Sequence, residues 1–386
     1  MTLLEQVLVG AGTLHLLAII LYHLQLELGM RRIRALEDLP DTDQPLPSLS
    51  IVVAARNEER DIEQALLSLL ALDYPLLEVI VVNDRSTDAT GSILDRISID
   101  YPELQVQHLE VLPDNWLGKN HALQEGAMIA RGQYILFTDA DVVFEPSSLQ
   151  RAVAYAEREK LGMLAALPSI TMPSLVLESF VALFASGFVS YFKPWLAPNP
   201  ESPAYVGVGA FNLVSAEAYR DAGMHEPIRM RPDDDVQLGK LIKKTGHRLE
   251  MVDAMGAVSV QWYASVGELV RGLEKNIVAG VEYRLTVLAG IVLGLIGIFL
   301  WPFVAIAVAP GISRWIYLAV VVLMLGLNMI WTRHVGVRIF SVFCFPLTIL
   351  LTIYILIRNT FLTYWRGGIQ WRDTHYSLKE LRANKI

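Results

Sequence analysis

The sequence predicts an α/β domain with a mainly parallel sheet, set among membrane helices. Three observations lead there. Apolar, β-branched runs alternate with helix-forming segments between residues 49 and 250, the pattern of strands covered on both faces. Long apolar stretches lie on either side of that region, each near the length that crosses a bilayer. Hydrophobic residues make up 53% of the 386 residues, too many for one water-soluble domain. The formal net charge of −8 speaks against a general nucleic-acid role. A single cysteine, Cys344, excludes a disulfide framework within the chain.

Val7–Leu26 is long and apolar enough to span a membrane. No basic residue precedes it and no small-residue cleavage site follows, so it reads as a retained anchor. Its His15 and His23 read as tolerated near helix ends or packed on neighbouring helices. Arg31, Arg32 and Arg34 follow at once, which places them on the cytoplasmic side. The chain divides into an anchor (1–30), a proline-rich linker (31–48), the α/β domain (49–256), an interfacial region (257–284), a transmembrane region (285–357) and a basic tail (358–386).

Within the α/β domain, Leu49–Ala54 reads as a strand running into Ala55-Arg56-Asn57-Glu58, and a helix follows to about Leu72. Glu78–Val82 is the next strand, and Ser86 or Thr87 is expected to cap the helix that ends near Ile97. A third strand is expected over Val106–Leu109, and a helix through Ala130. Tyr134–Phe137 is the central strand, closed by Asp139-Ala140-Asp141. Ligands sit at strand ends in such sheets. Two carboxylates one residue apart there suit one hard cation, Mg²⁺ or Mn²⁺, bridged to phosphate oxygens.

A helix over 147–160 and a strand over 162–167 come next. Leu175–Leu196 has spanning length, but Glu178 and the Lys193-Pro194 break argue against a simple crossing. Two readings stand: an interfacial helix with aromatic rings at headgroup depth, or a buried core helix. Asp233-Asp234-Asp235 opens a helix over 236–245, closed by Gly246. Helix starts favour acids through the dipole. Three crowded acids also raise at least one pKa, which suits a general base.

Arg271 and Lys275, four apart, share a helix face. They read either as contacts to phosphate, donor or lipid headgroup, or as a basic face at the membrane surface. Leu285–Ala309, Trp315–Trp331 and Val337–Ile357 are apolar runs broken or kinked by Pro302, Pro310 and Pro346. The basic tail favours the cytoplasm, whereas three crossings would put it outside. The last run, with Pro346 at its middle, is therefore expected to be re-entrant or interfacial.

SIVVAARNEE, EVIVVNDRSTDAT, GKNHALQEGAMIARGQYILFTDAD and PDDDVQLGKLIKKTGHR, over roughly residues 49–250, resemble the nucleotide-sugar domain of family 2 glycosyltransferases. The resemblance implies the Rossmann-like GT-A fold. It implies Ala55, Arg56, Glu58 and Asp84 around the nucleoside, with Asp84 a partner for a uracil edge. It implies Lys119 near the diphosphate, and Asp139 and Asp141 on the diphosphate and its metal. It makes Asp235 the base that takes the acceptor proton, with Asp234 beside it, and gives Gly207 and Gly209 to a loop close to donor sugar or acceptor. Two departures stand out: Arg56 where an aromatic residue is common, and Asn83-Asp84-Arg85 where D-D-G is common. The processive string Q/R-x-x-R-W is missing. The tail around Trp371, Arg372 and Tyr376 resembles the W-R-x-x-x-Y ending of ceramide glucosyltransferase-like enzymes, which implies a tail folded back on the domain.

The expected function is inverting, metal-dependent transfer of a sugar from a nucleotide sugar, UDP-linked, to a membrane lipid acceptor. The enzyme is expected to be integral to the cytoplasmic or plasma membrane, with its α/β domain facing the cytoplasm. One alternative is a processive polysaccharide synthase, which the missing string disfavours. The other is a non-catalytic scaffold for nucleotide sugar or lipid, which Asp139, Asp141 and Asp235 disfavour.

Overall fold

The computed structural model describes residues 2–42, 44–371 and 374–384, with the backbone alone for Lys275 and Asn276. The chain forms two compact units. One holds residues 32–170, 192–261 and 379–386; the other holds 1–31, 171–191 and 262–378.

The first unit is built on an eight-stranded sheet among the described residues. Its strands run in the spatial order Arg34–Ala35, Leu249–Asp253, Met163–Leu167, Asn212–Ser215, Tyr134–Asp139, Leu49–Ala55, Leu77–Asp84 and Leu104–Leu109. Leu49–Ala55 lies between Leu77–Asp84 and Tyr134–Asp139, parallel to both. Ile51, Val52, Val79, Ile80, Val81 and Val82 are fully buried. That explains why these strands read as unbroken apolar runs. Helices Ile62–Leu70, Thr90–Ser98 and Gly118–Ile129 make the crossovers.

Asn212–Ser215 departs from the parallel pattern. It pairs antiparallel with both Tyr134–Asp139 and Met163–Leu167. The 205–211 segment before it is irregular rather than strand, and Thr138 holds it by donating to the Ala210 carbonyl at 2.8 Å.

Ser86 and Thr87 do not cap the following helix, as the sequence led us to expect. The Ser86 hydroxyl accepts from the Asn57 backbone N–H at 3.0 Å, and the Thr87 N–H donates to Asn57 Oδ1 at 2.8 Å. They stitch together the loops that follow the first two long strands. Asn57 and Arg85 both adopt positive φ, 56° and 55°. Asp88 meets the helix start instead by accepting from Thr90 N at 3.0 Å.

In the second unit, four helical segments form a common core through Ile19, Ala305, Tyr317, Met324 and Ile349. Among the described residues, five helical stretches are long and apolar enough to cross a membrane: Leu3–Met30, Leu175–Leu196, Leu285–Val308, Ser313–Val335 and Ile339–Trp365. Leu175–Phe192 ends where Lys193 turns to φ 47° and Pro194 opens a short 3-10 turn. Glu178 is buried, and its carboxylate accepts from Arg338 Nε at 2.7 Å and from Arg338 N at 3.2 Å. Pairing therefore satisfies the acid that argued against a span.

Pro346 does not break the middle of the last run. It sits in the first turn of an unbroken helix, Phe345–Trp365, after a 3-10 stretch at Ile339–Cys344. A proline is pre-organised there, because the first turn needs no N–H donor. The irregular run is the earlier one, where a π-helical stretch at Leu295–Leu300 separates Leu285–Gly294 from Trp301–Val308.

The tail divides between the units. Gly368–Trp371 and Thr374–Ser377 form an antiparallel hairpin that belongs to the second unit and carries Trp371 and Tyr376. Arg372 and the side chain of Lys275 lie outside the described residues. Asn384 belongs to the first unit, where its side chain accepts from Met230 N at 3.1 Å and donates to the Pro227 carbonyl at 2.9 Å.

Candidate active site

Two acidic centres and one lysine meet at the end of the Tyr134–Asp139 strand. Asp139 is its last residue, and Asp141 precedes the short strand Val142–Phe144, which pairs with Val258–Gln261 in a second sheet. The passage between sheets turns both carboxylates out at the rim. Lys119 lies in the first turn of Gly118–Ile129. Its ammonium is 2.7 Å from Asp139 Oδ1 and 3.6 Å from Asp234 Oδ2. Burial acts to lower its pKa, but Asp139, Asp234 and Asp235 outweigh that and hold it above the usual lysine value. The lysine therefore stays charged.

The three acids at the start of Asp234–Lys244 are not equivalent. Asp233 is bound in bidentate fashion by Arg231, at 2.9 and 2.8 Å, and takes Gln237 Nε2 at 2.6 Å. It holds the loop. Asp234 is buried and faces Lys119. Asp235 faces the cavity that Lys119, Asp139, Gly209, His225 and Asp234 also line. Its carboxylate takes a hydrogen bond from the Val236 backbone and has no side-chain partner among the described residues. Burial first, and Asp234 second, push it up to about 7. The helix-start preference for acids accounts for none of this division.

Gly207 and Gly209 serve these acids. A Cβ on Gly207 would run into the Asp235 backbone carbonyl. One on Gly209 would sit 2.8 Å from Asp139 Oδ2 and 3.5 Å from Asp235 Oδ2. The two centres thus flank a single backbone position. Gly209→Ala is expected to displace Asp139 and lower turnover at least about tenfold with the fold retained, since small misplacements near reacting atoms are costly. Circular dichroism together with a transfer assay checks it; wild-type turnover would contradict it.

The Asp141 carboxylate is met by its own backbone N–H and by no side chain among the described residues. Burial, then Asp139 and Glu58, push it up to about 7. Negative charge is crowded there with no side chain among the described residues to offset it. Among the described residues no group of three or more acidic, histidine or cysteine side chains forms a closed metal cage. A pair of carboxylates fits a hard cation that takes its other ligands from water and phosphate. The donor set therefore suits Mg²⁺ or Mn²⁺.

Asp84 is buried at the end of Leu77–Asp84. Its own neighbour Arg85 grips the carboxylate at 2.7 and 3.1 Å, and Arg56 Nη1 donates to its backbone carbonyl at 3.1 Å. A Cβ on Gly118 would strike Asp84 Oδ2, so that glycine lets helix and acid close up. Ala55 is buried on the strand before Arg56, and Glu58 N donates to Thr90 Oγ1 at 2.8 Å. Arg271 is exposed on the short helix Val266–Gly272 of the second unit.

Three residues escaped the sequence reading. Asn120 donates to the carbonyls of Ile228 and Arg231 at 2.9 Å each, fastening the acid-bearing loop to the lysine helix. Arg231 immobilises Asp233. His225 lies in the cavity wall with its Nδ1 2.5 Å from the Tyr219 hydroxyl. Burial, then Lys119, pull it down to about 3, so it is a neutral ring. Each is a lone side chain or acts on a distant stretch of chain, so no local pattern marks it.

Residues 50–184 match Glycosyl transferase family 2. The 4,4'-diaponeurosporenoate glycosyltransferase of Staphylococcus aureus is 25% identical over 353 residues, covering 86% of this chain and 89% of the relative. The poly-beta-1,6-N-acetyl-D-glucosamine synthase of Staphylococcus epidermidis is 27% identical over 186 residues, covering 47% of this chain and only 42% of the synthase's own length. Among solved structures, the mannosyltransferase PcManGT from Pyrobaculum calidifontis, in complex with GDP-Man and Mn²⁺, superposes with a TM-score of 0.58 at 19% identity. That match covers 89% of this chain and 99% of the other. The alternating sheet and these likenesses agree: the chain carries a glycosyl transferase family 2 domain with the GT-A fold.

Proposed function

We propose that the chain transfers a sugar from a nucleotide donor, UDP-linked, to a hydroxyl of a membrane lipid at the cytoplasmic face, with inversion. The observation that carries this reading is the convergence of Asp139 and Asp235 on Gly209. It would set, beside the diphosphate, a base that no side chain among the described residues pairs. Asp235 would take the acceptor proton as that oxygen attacks the anomeric carbon. Lys119 would keep a positive charge beside the diphosphate. Asp139 and Asp141 would hold Mg²⁺ or Mn²⁺, which supplies Lewis-acid neutralisation of the departing diphosphate. Asp84, Arg56 and Glu58 would receive the nucleoside, with Arg85 orienting the Asp84 carboxylate.

The lipid acceptor is supported by the five spanning-length helices and by a relative named for 4,4'-diaponeurosporenoate. The GDP-Man and Mn²⁺ of the mannosyltransferase support a nucleotide sugar and a divalent cation, without fixing the base. Arg31, Arg32 and Arg34 support the cytoplasmic orientation. A polymer-forming activity is the second reading, favoured by the synthase relative.

Membranes containing the chain, incubated with labelled nucleotide sugars and Mn²⁺, test both. Single-sugar label in the lipid fraction supports the proposal. Label in long polymer selects the second reading, and bound donor without any transfer overturns both.

The raised carboxyls also predict how stability follows pH. Asp141 and Asp235 move from the ordinary aspartate value of 3.8 to about 7 on folding. Between about pH 4 and 7 the folded chain therefore holds protons that the unfolded chain has lost. Their contribution is full below that window and is lost as pH rises through it. The melting temperature of the detergent-solubilised chain should fall from about pH 5.5 to about pH 8, with a shallower slope in Asp235→Asn. A slope identical in wild type and variant would contradict this.

A further inference from the structure

A cavity of about 530 Å³ lies against the helices Leu3–Met30 and Ser313–Val335. No residue placed above in the active site lines it. Leu24, Leu327 and Ile330 are part of its apolar lining, contributed by both helices. His23, Glu27 and His334 line it as well, with Arg31 at the same end as Glu27. Such polar groups on helices that face hydrocarbon mark sites rather than filler.

Glu27 orders the charged end. It accepts from Arg31 Nε at 2.9 Å and from His334 Nε2 at 2.9 Å. Both carboxylate oxygens are thereby engaged. The Arg31 guanidinium spends only its Nε on this bond, so the four donors on its Nη atoms have no partner among the described residues. The side chain is 69% exposed. Arg333 is exposed beside His334 in the sequence, which adds to the positive charge.

His23 is the second, independent observation. It is nine-tenths buried, at 9% exposure. Its Nδ1 donates to the Ile19 carbonyl at 3.0 Å. In the neutral ring that leaves Nε2 as an acceptor, and Nε2 has no partner among the described residues. Glu27 follows His23 by one helical turn, about 5–6 Å along the axis. The cavity therefore asks for an anion at its end, a hydrogen-bond donor about one turn below, and hydrocarbon alongside.

We propose that the cavity holds one glycerophospholipid. Its phosphate rests on the Nη donors of Arg31, and an acyl chain lies along Leu24, Leu327 and Ile330. A water carried in with the ester linkages donates to His23 Nε2. Pure hydrocarbon would leave Arg31 and His23 unmet, and an apolar protein helix would bury the Glu27 cluster away from water. This site rests on the membrane reading of the helices and not on the transfer reaction.

The test is native mass spectrometry of the full chain released from nanodiscs of phosphatidylglycerol and diacylglycerol. The wild type should retain one phosphatidylglycerol and no diacylglycerol. Leu327→Trp, which fills space along the apolar lining, and Arg31→Gln, which removes the charge, should each lower retention about tenfold. Equal retention of the two lipids overturns the proposal, as does wild-type retention in both variants. Size-exclusion profiles matching the wild type show that a variant has folded. Sugar transfer measured on the same samples separates the two readings: a phospholipid retained without any transfer leaves this site standing and sinks the proposed function.

Discussion

Asp235→Asn is expected to lower kcat about a thousandfold while donor affinity stays within a few-fold of wild type, since a positioned base contributes about 10²–10⁴. The amide keeps the shape of the side chain but cannot take the acceptor proton. Asp235 is the acid of its cluster that no side chain among the described residues pairs, whereas Arg231 holds Asp233 and Asp234 faces Lys119. With a carboxyl pushed up to about 7, the wild-type rate should rise with pH through neutrality, because the base works only when ionised. The sensitivity also reports the acceptor: a hydroxyl needs the base, whereas a carboxylate acceptor arrives already deprotonated and would lose little. Steady-state kinetics with isothermal donor titration make the measurement. An unchanged kcat with a hydroxyl acceptor would remove Asp235 from the reaction.

Asp141→Ala is expected to abolish stimulation by Mn²⁺ and to lower kcat/KM at least about a hundredfold, because Lewis-acid neutralisation of a leaving group is worth several kcal/mol. Asp141 is crowded by Asp139 and Glu58 with no side chain among the described residues to offset the charge, so the variant should also be more stable than wild type near pH 8 without metal. Asp139→Ala should behave differently. Asp139 is paired with Lys119 at 2.7 Å, and its loss leaves that ammonium to Asp234. Its activity should fall as far, but without the gain in stability. Mn²⁺ titrations of activity and of melting temperature on the three proteins check this. Undiminished Mn²⁺ stimulation in Asp141→Ala would overturn the metal assignment.

Much of this was written locally in the sequence. Ile51, Ile80, Val81 and Leu136 lie in strands buried on both faces, so burial itself made their runs apolar without alternation. The pair Asp139 and Asp141 was visible because strand ends in parallel sheets are where ligands gather. What stayed hidden depends on distant partners. Ser86 and Thr87 have the right chemistry for a cap, and only the fold brings Asn57 to them. Pro346 looks like a break when its run is counted from Val337, and becomes a helix start because the residues before it form a 3-10 turn. Glu178 looked incompatible with an apolar helix until Arg338, 160 residues on, supplied its counter-charge. The glycines at 207 and 209 suggest room for a ligand, but they first make room for the Asp235 backbone carbonyl and for the carboxylates of Asp139 and Asp235.

The antiparallel strand has a consequence for how the protein is made. Asn212–Ser215 lies beside Met163–Leu167 in the sheet, yet the chain between them includes Leu175–Phe192, a stretch of spanning length. The strands Leu49–Ala55, Leu77–Asp84, Leu104–Leu109 and Tyr134–Asp139, which lie side by side in the sheet, are all synthesised before that stretch. The remaining half can close only once the spanning-length stretch between its strands has been synthesised. Asp139 arrives with the early half, and Gly209 and Asp235 with the late one. Sheet completion and the meeting of the two carboxylate centres thus come together late in synthesis, and a chain stalled before Asn212 would hold one centre without the other.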